Sequence, residues 1–493
     1  MPKRVTAFEL ALPPRDSETP AYRWLYASLR AEILEGRLRS GAKLPATRDL
    51  ALQYGLSRGT IVSAFELLKS EGYLRGTIGS GTYVSKVLPE TLLHVKRELG
   101  AVPNLQRKKH SRLSDYARRV NLFSGFEIRP SRAFRPNVPA LDLFPTALWA
   151  QITVRRWRSA SMQFLLGCNP MGYAPLRDAV ANYLSTSRGV KCNPEQIAIV
   201  SGVQEALDLT ARIFLNPGDR VSMENPGYPG ARMAFEAVGA KVSAVRLDDD
   251  GMKVRSKGLQ SSRLVYVTPG HEFPLGITMS LSRRLELLEW ARKSGALIFE
   301  DDYDSEYRFA GRPIPAMQGF DRSGSVIFAG SFSKVLFPSL RLGYLVIPPD
   351  LMTRYEATIS LTTRHAPLPQ QAVLCDFITE GHFGRHLRRM REVYAERLSI
   401  LLDSAREKLA GLLEISEIEA GLQTVGWLCE GINGESATRA AAARGVEVFP
   451  LSRYTRGKVE REGLQLGFAA VDAREIRRGV QDLAIALEAE SNT

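Results

Sequence analysis

Hydrophobic spacing divides the chain into three regimes. Between residues 20 and 36, Tyr22, Leu25, Tyr26, Leu29, Ile33 and Leu34 recur along one helical face, and Gly36 suits a C-terminal stop. A turn, RSGAKLP, leads to a short helix, TRDLALQYG, with Thr47 placed to cap it, and Gly55-Leu56-Ser57 makes a tight turn. Ser57 is placed to cap a third helix, RGTIVSAFELLKSEG, with Ile61, Val62, Phe65 and Leu68 facing inward. Tyr73-Leu74-Arg75, a glycine turn and Gly81-Thr82-Tyr83-Val84-Ser85 then read as a two-stranded wing. The second regime, residues 87–130, lacks sustained periodicity and contains QRKKHSR, which predicts a long exposed linker that lets one domain move relative to another.

From about residue 131 the period changes again. Apolar runs of strand length (IAIVSG, RVSMENP, KVSAVRL, RLVYVTPG, ALIFEDDY, SVIFAGS, RLGYLVIP) alternate with amphipathic helices such as RRLELLEWARKSG. That alternation predicts an α/β fold with a mostly parallel sheet. From about residue 346 the pattern turns helical, through LPQQAVLCDFITEG and RHLRRMREVYAERLSILLDSAREKL, and ends in a small α+β part. The expected organisation is a small α+β domain at 18–86, a linker at 87–130 and an α/β domain at 131–493, its large part about 190–345 and its small part about 346–493.

At 493 residues the chain is long enough for two or three domains. No run approaches the ~18 apolar residues of a membrane span, and the first twenty residues carry charges where a signal peptide needs an apolar core. Cys168, Cys192, Cys375 and Cys429 are scattered without CxxC spacing, which predicts neither a disulfide framework nor a zinc site. A cytoplasmic protein with no metal site is the expectation. The net charge of +13 is uneven: residues 1–119 hold 21 Lys and Arg against 11 Asp and Glu, so ten of the thirteen charges fall there. A basic first quarter suits nucleic acid, with a merely solvated basic face as the alternative. Two helices joined by a three-residue Gly-containing turn form a helix-turn-helix, and its second helix opens on Arg58, Gly59 and Thr60, the end that meets bases and phosphates.

Candidate chemistry centres on Lys334, between the apolar runs SVIFA and LGYLVI. A lysine there is costly to bury as a bare ammonium and needs a partner or a reaction. Ser331, Ser333 and Arg341 surround it with two hydroxyls and a guanidinium, suited to a phosphate. An imine-forming lysine beside a phosphate cradle suggests pyridoxal 5′-phosphate held as a Schiff base; a surface lysine in a Ser-rich turn is the plainer reading. SGVQEALDL runs from a strand into a helix, so the amides of Val203, Gln204 and Glu205 can face an anion. Tyr228 sits on a Gly/Pro loop where its ring can stack on a planar cofactor. FEDDYDSEY closes a strand with carboxylates, either for a pyridine nitrogen or as a metal site or solvated turn.

The spacing LPATRDLA…GLSRGTI and the wing GSGTYV, over about 70 residues, resemble the winged helix of GntR-type regulators. From about residue 135 onward NPMGYAPLR (169–177), SGVQEALDL (201–209), ENPGYPGAR (224–232), TPGHEFPLG (268–276), EDDYDSEYR (300–308) and GSFSKVLFPSLRLGY (330–344) resemble fold-type I, class I aminotransferases. The whole resembles the MocR/GabR-type regulators, in which the two are fused. The resemblance implies that Lys334 is the internal-aldimine lysine, that Asp301 pairs with the pyridine nitrogen, and that Tyr303 meets the 3-hydroxyl oxygen. It places Tyr228 on the ring, and Ser331, Arg341 and the 203–205 amides around the phosphate. It also implies a homodimer that reads double-stranded operator DNA through Thr47, Arg48, Ser57, Arg58, Gly59, Thr60, Gly79 and Thr82.

Departures from that pattern bear on function. Gln465, in QLGFA, stands where class I aminotransferases carry the arginine that grips the substrate α-carboxylate. Gly230 stands where members sensing γ-aminobutyrate carry an arginine, Phe273 replaces the asparagine of the aminotransferase NPTG turn, and Glu272 and Leu275 replace Gln and Thr of the regulators' TPSHQFPTG. Two carboxylate clamps are therefore missing unless Arg232 or Arg453 substitutes. The expectation is a transcription regulator that senses pyridoxal phosphate or an amine, with cofactor sensing, as in regulators of vitamin B6 synthesis, favoured over amino-acid sensing. A working aminotransferase carrying a DNA-binding head is the alternative; an empty, vestigial fold is disfavoured by the retained cofactor contacts.

Overall fold

The computed structural model describes residues 12–16, 19–77, 81–86, 113–122, 131–311 and 314–491. The chain divides after Ser111 into two units. Among the described residues no helix is long and apolar enough to cross a membrane.

In the first unit α1 (Ala21–Leu34), α2 (Thr47–Tyr54) and α3 (Arg58–Ser70) precede an antiparallel hairpin of β1 (Leu74–Thr77) and β2 (Gly81–Val84). Leu25 and Leu29 of α1, Leu50 of α2, and Ile61, Phe65 and Leu68 of α3 meet in one core. The phase of α3 turns Ala64 inward and Val62 outward, so Val62 leaves the expected core; Leu34, at the end of α1, is exposed as well. Thr47 does not cap α2. It is the first helical residue, and the cap position is Ala46, whose side chain has nothing to donate or accept. Ser57 does cap α3, its Oγ accepting from the Thr60 amide at 3.1 Å. Leu44 donates its amide to the Thr82 carbonyl and Val84 to that of Ala42, so residues 41–44 add a third extended edge to the wing. Gly79 lies outside the described residues.

The second unit begins at Arg112, nineteen residues before the expected boundary. Within the stretch expected as linker, a short helix, Asp115–Arg119, is capped by Ser114. It is held to the second unit by the Arg212 guanidinium, 5.6 Å from the centre of the Tyr116 ring. A positive charge against an aromatic face explains why this piece docks.

The large sheet runs in the order β3-β10-β9-β8-β7-β4-β5-β6. Its strands are β3 (Ile197–Val200), β4 (Arg220–Asn225), β5 (Lys241–Asp248), β6 (Gly251–Met252), β7 (Ser262–Val267), β8 (Leu297–Asp302), β9 (Val326–Ser331) and β10 (Gly343–Val346). Neighbours from β5 to β9 are parallel, whereas β10 is antiparallel to both β9 and β3 and β6 to β5. Helices cover both faces, which is why β3, β9 and β10 are buried at every position rather than alternating. A second, four-stranded antiparallel sheet has the order β11-β12-β14-β13, from β11 (Leu413–Ile415), β12 (Gln423–Leu428), β13 (Phe449–Pro450) and β14 (Gly463–Gly467). Residues 133–137 lie across it, with the Gly467 amide donating to the Phe134 carbonyl at 2.8 Å.

Replacing Ser57 by Ala should cost α3 about 1 kcal/mol by removing its N-cap acceptor. Amide exchange of Ile61–Leu68 in the full-length protein should accelerate while exchange in β9 stays unchanged. An unaltered α3 would mean that packing alone holds this end.

Candidate functional site

The reversed strand β10 sets the geometry of the site. Gly343 pairs with Ser331 on one side and Val200 on the other. The start of β10 therefore lies at the C-terminal ends of β3 and β9, the edge where open α/β sheets take ligands. Immediately before β10, Arg341 adopts a left-handed conformation, φ +51°. Its guanidinium lies over Gly202, where an added Cβ would stand 3.6 Å from Nη1. Gly202, at φ +109°, opens the helix Val203–Phe214. The Glu205 amide is spent on the Gly202 carbonyl at 3.1 Å, and the Glu205 carboxylate accepts from the Ser201 amide and from the Thr363 hydroxyl. The Val203 and Gln204 amides remain to face an anion beside Arg341. Ser331 is buried at the head of the helical turn Phe332–Val335, and the Ser333 hydroxyl is directed to the Leu342 carbonyl at 3.5 Å.

Lys334 rides on that turn. Its Nζ donates to the Asn137 carbonyl at 3.2 Å. Burial lowers its pKa to about 8, against the pull of Asp304 and Asp301 and with a push from Arg341. A lysine in this state is in part a neutral, nucleophilic amine near neutral pH. Asp301, at the end of β8, is 5 % exposed. Its Oδ2 accepts from the Tyr266 hydroxyl at 2.7 Å, while Oδ1 is buried without a hydrogen-bond partner among the described residues. Burial raises this carboxyl to about 7, with the Tyr266 hydrogen bond opposing and Asp302 and Asp304 reinforcing the shift.

Tyr228 is half-buried at the head of the helix Pro229–Ala237, within the fields of Asp301 and Arg341, and its hydroxyl reaches Gln204 Oε1 at 3.4 Å. A Cβ at Gly230 would stand 2.5 Å from the Tyr228 ring and from Gln204 Oε1. A side chain there, arginine included, would displace the tyrosine. Phe273 packs edge-on to Tyr228, Tyr303 and Tyr454. The Tyr303 hydroxyl meets His271 Nδ1 at 3.1 Å, and both oxygens of Asp304 lie 3.0 Å from that nitrogen. Gln465 is fully buried on β14 and accepts the Tyr454 hydroxyl at 2.6 Å. Arg453 stacks over the Phe449 ring at 4.3 Å, and Arg232 lines a cleft with Glu224, Tyr228 and Tyr454.

Sequence reading missed Asn137, Tyr266, His271, Asp304, Gln423 and Tyr454. Asn137 supplies backbone from 197 residues away, for which no local signal exists. Tyr266 carried one: a polar-tipped ring flanked by the aliphatic Leu264, Val265 and Val267 of β7 has to place its hydroxyl somewhere.

In the first unit Arg58 and Gly59 are exposed at the start of α3, with Thr60 half-buried beside them. Arg48 is exposed, and Thr47 and Thr82 are half-buried. Neither Arg48 nor Arg58 has a side-chain hydrogen bond or ion pair among the described residues. Unpaired guanidiniums at a helix-turn-helix are free for phosphates or base edges.

Residues 137–483 match the family model described as aminotransferase class I and II, and residues 21–84 that of the bacterial regulatory proteins, gntR family. The chain is 41% identical over 471 residues to the probable rhizopine catabolism regulatory protein MocR of Rhizobium meliloti, covering 95% of this chain and 94% of that one. It is 30% identical to the pyridoxine biosynthesis transcriptional regulator PdxR of Corynebacterium glutamicum, over 92% and 93% of the two chains. Among solved structures, the multiple substrate aminotransferase of Thermococcus profundus superposes with a TM-score of 0.69 at 29% identity, covering 77% of this chain and 98% of that one.

Asp301 also makes a pH-dependent prediction. Its carboxyl titrates near 7 in the fold against 3.8 ordinarily, so the buried charge destabilises fully above pH 7. The cost is relieved as the native state takes up a proton on acidification. At pH 8, Asp301→Asn should raise the unfolding midpoint of the cofactor-free protein by roughly 5 °C, and the gap should close towards pH 5. A gap that is constant with pH, or a lowered midpoint at pH 8, would refute the assignment.

Proposed function

The chain belongs to the MocR-type regulators, a gntR-family head joined to a body of the class I and II aminotransferase family, and we propose that it is a cytoplasmic, homodimeric transcription regulator that binds operator DNA and pyridoxal phosphate. Its response is to cofactor occupancy or to an amine that displaces Lys334.

The observation that carries the cofactor reading is the buried Asp301 oxygen that no group among the described residues satisfies. A protonated ring nitrogen is the partner it lacks, since an unmatched buried acceptor costs about 1–3 kcal/mol. Two further features support the fit. The guanidinium over Gly202, with the Val203 and Gln204 amides, suits the phosphate. The partly neutral Lys334 amine suits the aldehyde. When bound, the cofactor supplies an electrophilic carbon for amines and a ring that accepts electron density. Asp301 would hold the ring proton, Tyr228 would cover a face, and Ser331, Ser333 and Arg341 would anchor the phosphate end. Tyr303, oriented by His271 and Asp304, would offer its hydroxyl to the ring oxygen. Lys334 would release the Asn137 carbonyl when it bonds to the cofactor.

Arg58 and Thr60, with Arg48 and Thr82, would contact the operator. For the second unit to control them, a ligand has to bind two conformations of the protein with different affinity. Transamination is the second reading, favoured by the Lys334 amine, which can move a proton near neutral pH. The neutral Gln465 weighs against efficient turnover of amino acids.

Purified protein mixed with pyridoxal phosphate should develop a visible absorbance band, and borohydride should then fix the cofactor to the peptide containing Lys334. Lys334→Ala should abolish both while operator binding persists. Label on any other lysine overturns the cofactor assignment. Arg58→Ala should weaken operator binding roughly ten-fold, the loss of one guanidinium contact, with the spectrum unchanged. A keto acid released on adding amino acids would favour the enzyme reading.

A further inference from the structure

The end of the site opposite Arg341 is built from neutral amides. Gln423 and Gln465 stand on β12 and β14, where Gln423 pairs with Gly467 and Val425 with Gln465. In an antiparallel pair, opposed residues and their second neighbours share a face, so Gln423, Val425 and Gln465 project from the same side. Val425 packs there with Phe273 and Tyr454, against Tyr228 and Tyr303. Gln423 reaches the same place by another route: its Oε1 accepts the Asn137 amide at 2.9 Å, and the Asn137 carbonyl holds Lys334. The face therefore looks onto the lysine.

Both side chains have the oxygen engaged and the amide hydrogens unspent. A backbone N–H can only donate, which fixes the Gln423 oxygen towards Asn137. Tyr454 holds the Gln465 oxygen at 2.6 Å. Among the described residues Gln423 Nε2 and Gln465 Nε2 are buried without a partner, on residues 2% and 0% exposed. Two orphaned donors on one buried face call for a ligand with acceptor oxygens.

The surroundings decide the charge of that ligand. Glu224, Glu272, Asp301 and Asp304 are all buried on the loops and strand ends around the lysine. Among the described residues Glu224 and Glu272 accept only from Thr268 and from the Leu275 amide respectively, and each keeps one oxygen unpartnered. Burial pushes Glu224 and Asp301 up to about 7 and Glu272 well above the usual carboxylate range, so a further carboxylate placed here, against amides that cannot neutralise it, would bear the same cost of a buried charge. An amine would be welcomed.

We propose that Gln423 and Gln465 form a neutral clamp that selects primary amines bearing hydroxyl or carbonyl oxygens over amino acids bearing a free carboxylate. This rests on the reading that a cofactor on Lys334 exchanges with amines, and adds the class of amine. Gln465 is the specificity residue and Gln423 its companion.

The test titrates full-length, cofactor-loaded protein with matched probes: alanine, serine and phenylalanine against alaninol, serinol, phenylalaninol and the amino acid amides. The readouts are the concentration that half-shifts the visible band and the shift in unfolding temperature. Wild type should respond to the alcohols and amides at concentrations about ten-fold lower than to the acids, the margin expected when a carboxylate is buried without a cation to pair it. Gln465→Arg should reverse the order. Gln465→Leu, close in size and without donors, should bring the two classes within about two-fold of each other while the protein stays folded. Wild type preferring the acids would overturn the clamp and leave Arg232 as the carboxylate partner. Gln465→Leu keeping the full preference would overturn the role of the amide. If no probe of either class shifts the band while borohydride still labels Lys334, amine exchange itself fails, and the clamp with it.

Discussion

One reversed strand makes the second unit's site possible. Parallel strands send all their C-terminal ends to one edge, but each delivers only the residues that follow it. Because β10 runs the other way, the residues that precede it are brought to that same edge. Arg341 thus meets the first turn of the helix Val203–Phe214, although nearly 140 residues separate them, and Lys334 is carried on the short excursion between β9 and β10. An all-parallel sheet of the same strands would put the guanidinium at the far end from the lysine. Arg341 owes its place in the site to that inversion.

Burial does the rest of the tuning. The groups around Lys334 are crowded with carboxylates and short of cations, so desolvation dominates the titration of both Lys334 and Asp301 and draws their pKa values towards neutrality from opposite sides. An amine and a carboxyl that each titrate near neutral pH can exchange a proton at little cost, a property shared by catalysts and by binders that form reversible covalent bonds. What separates those outcomes is how a ligand is held at the other end, where amides stand.

Much of this was legible in the chain. The strand pattern of the second unit, the capped third helix of the first, and Lys334 between two apolar strands follow from periodicity and from the cost of burying charge. Reading went astray where local pattern underdetermines the answer. Val62 fits an apolar stripe but falls out of phase by one position, and Thr47 is a good capping residue one position too late. The helix Asp115–Arg119 sits in a stretch too polar to announce itself, and docks through a cation on an aromatic ring that only the fold supplies. The site residues named from motifs lie at the ends of the large sheet's strands or on the turns and helices beside them. Those missed, such as Gln423 on β12 and Tyr454 on the connection from β13 to β14, gain meaning only from what faces them.

Asn137 illustrates how hidden such a connection can be. Its amide holds Gln423 and its carbonyl holds Lys334, while its backbone adopts φ +65°. The link between the reactive lysine and the second sheet therefore runs through the backbone of Asn137 and not through its side chain. Most replacements at 137 would keep both hydrogen-bonding groups and would be resisted only by the cost of a left-handed conformation, which glycine avoids and β-branched residues bear most heavily. Alanine scanning would under-report this wire. Drift in sequence would leave it intact, and the mechanical tie between the two sheets would outlast the identity of the residue that makes it.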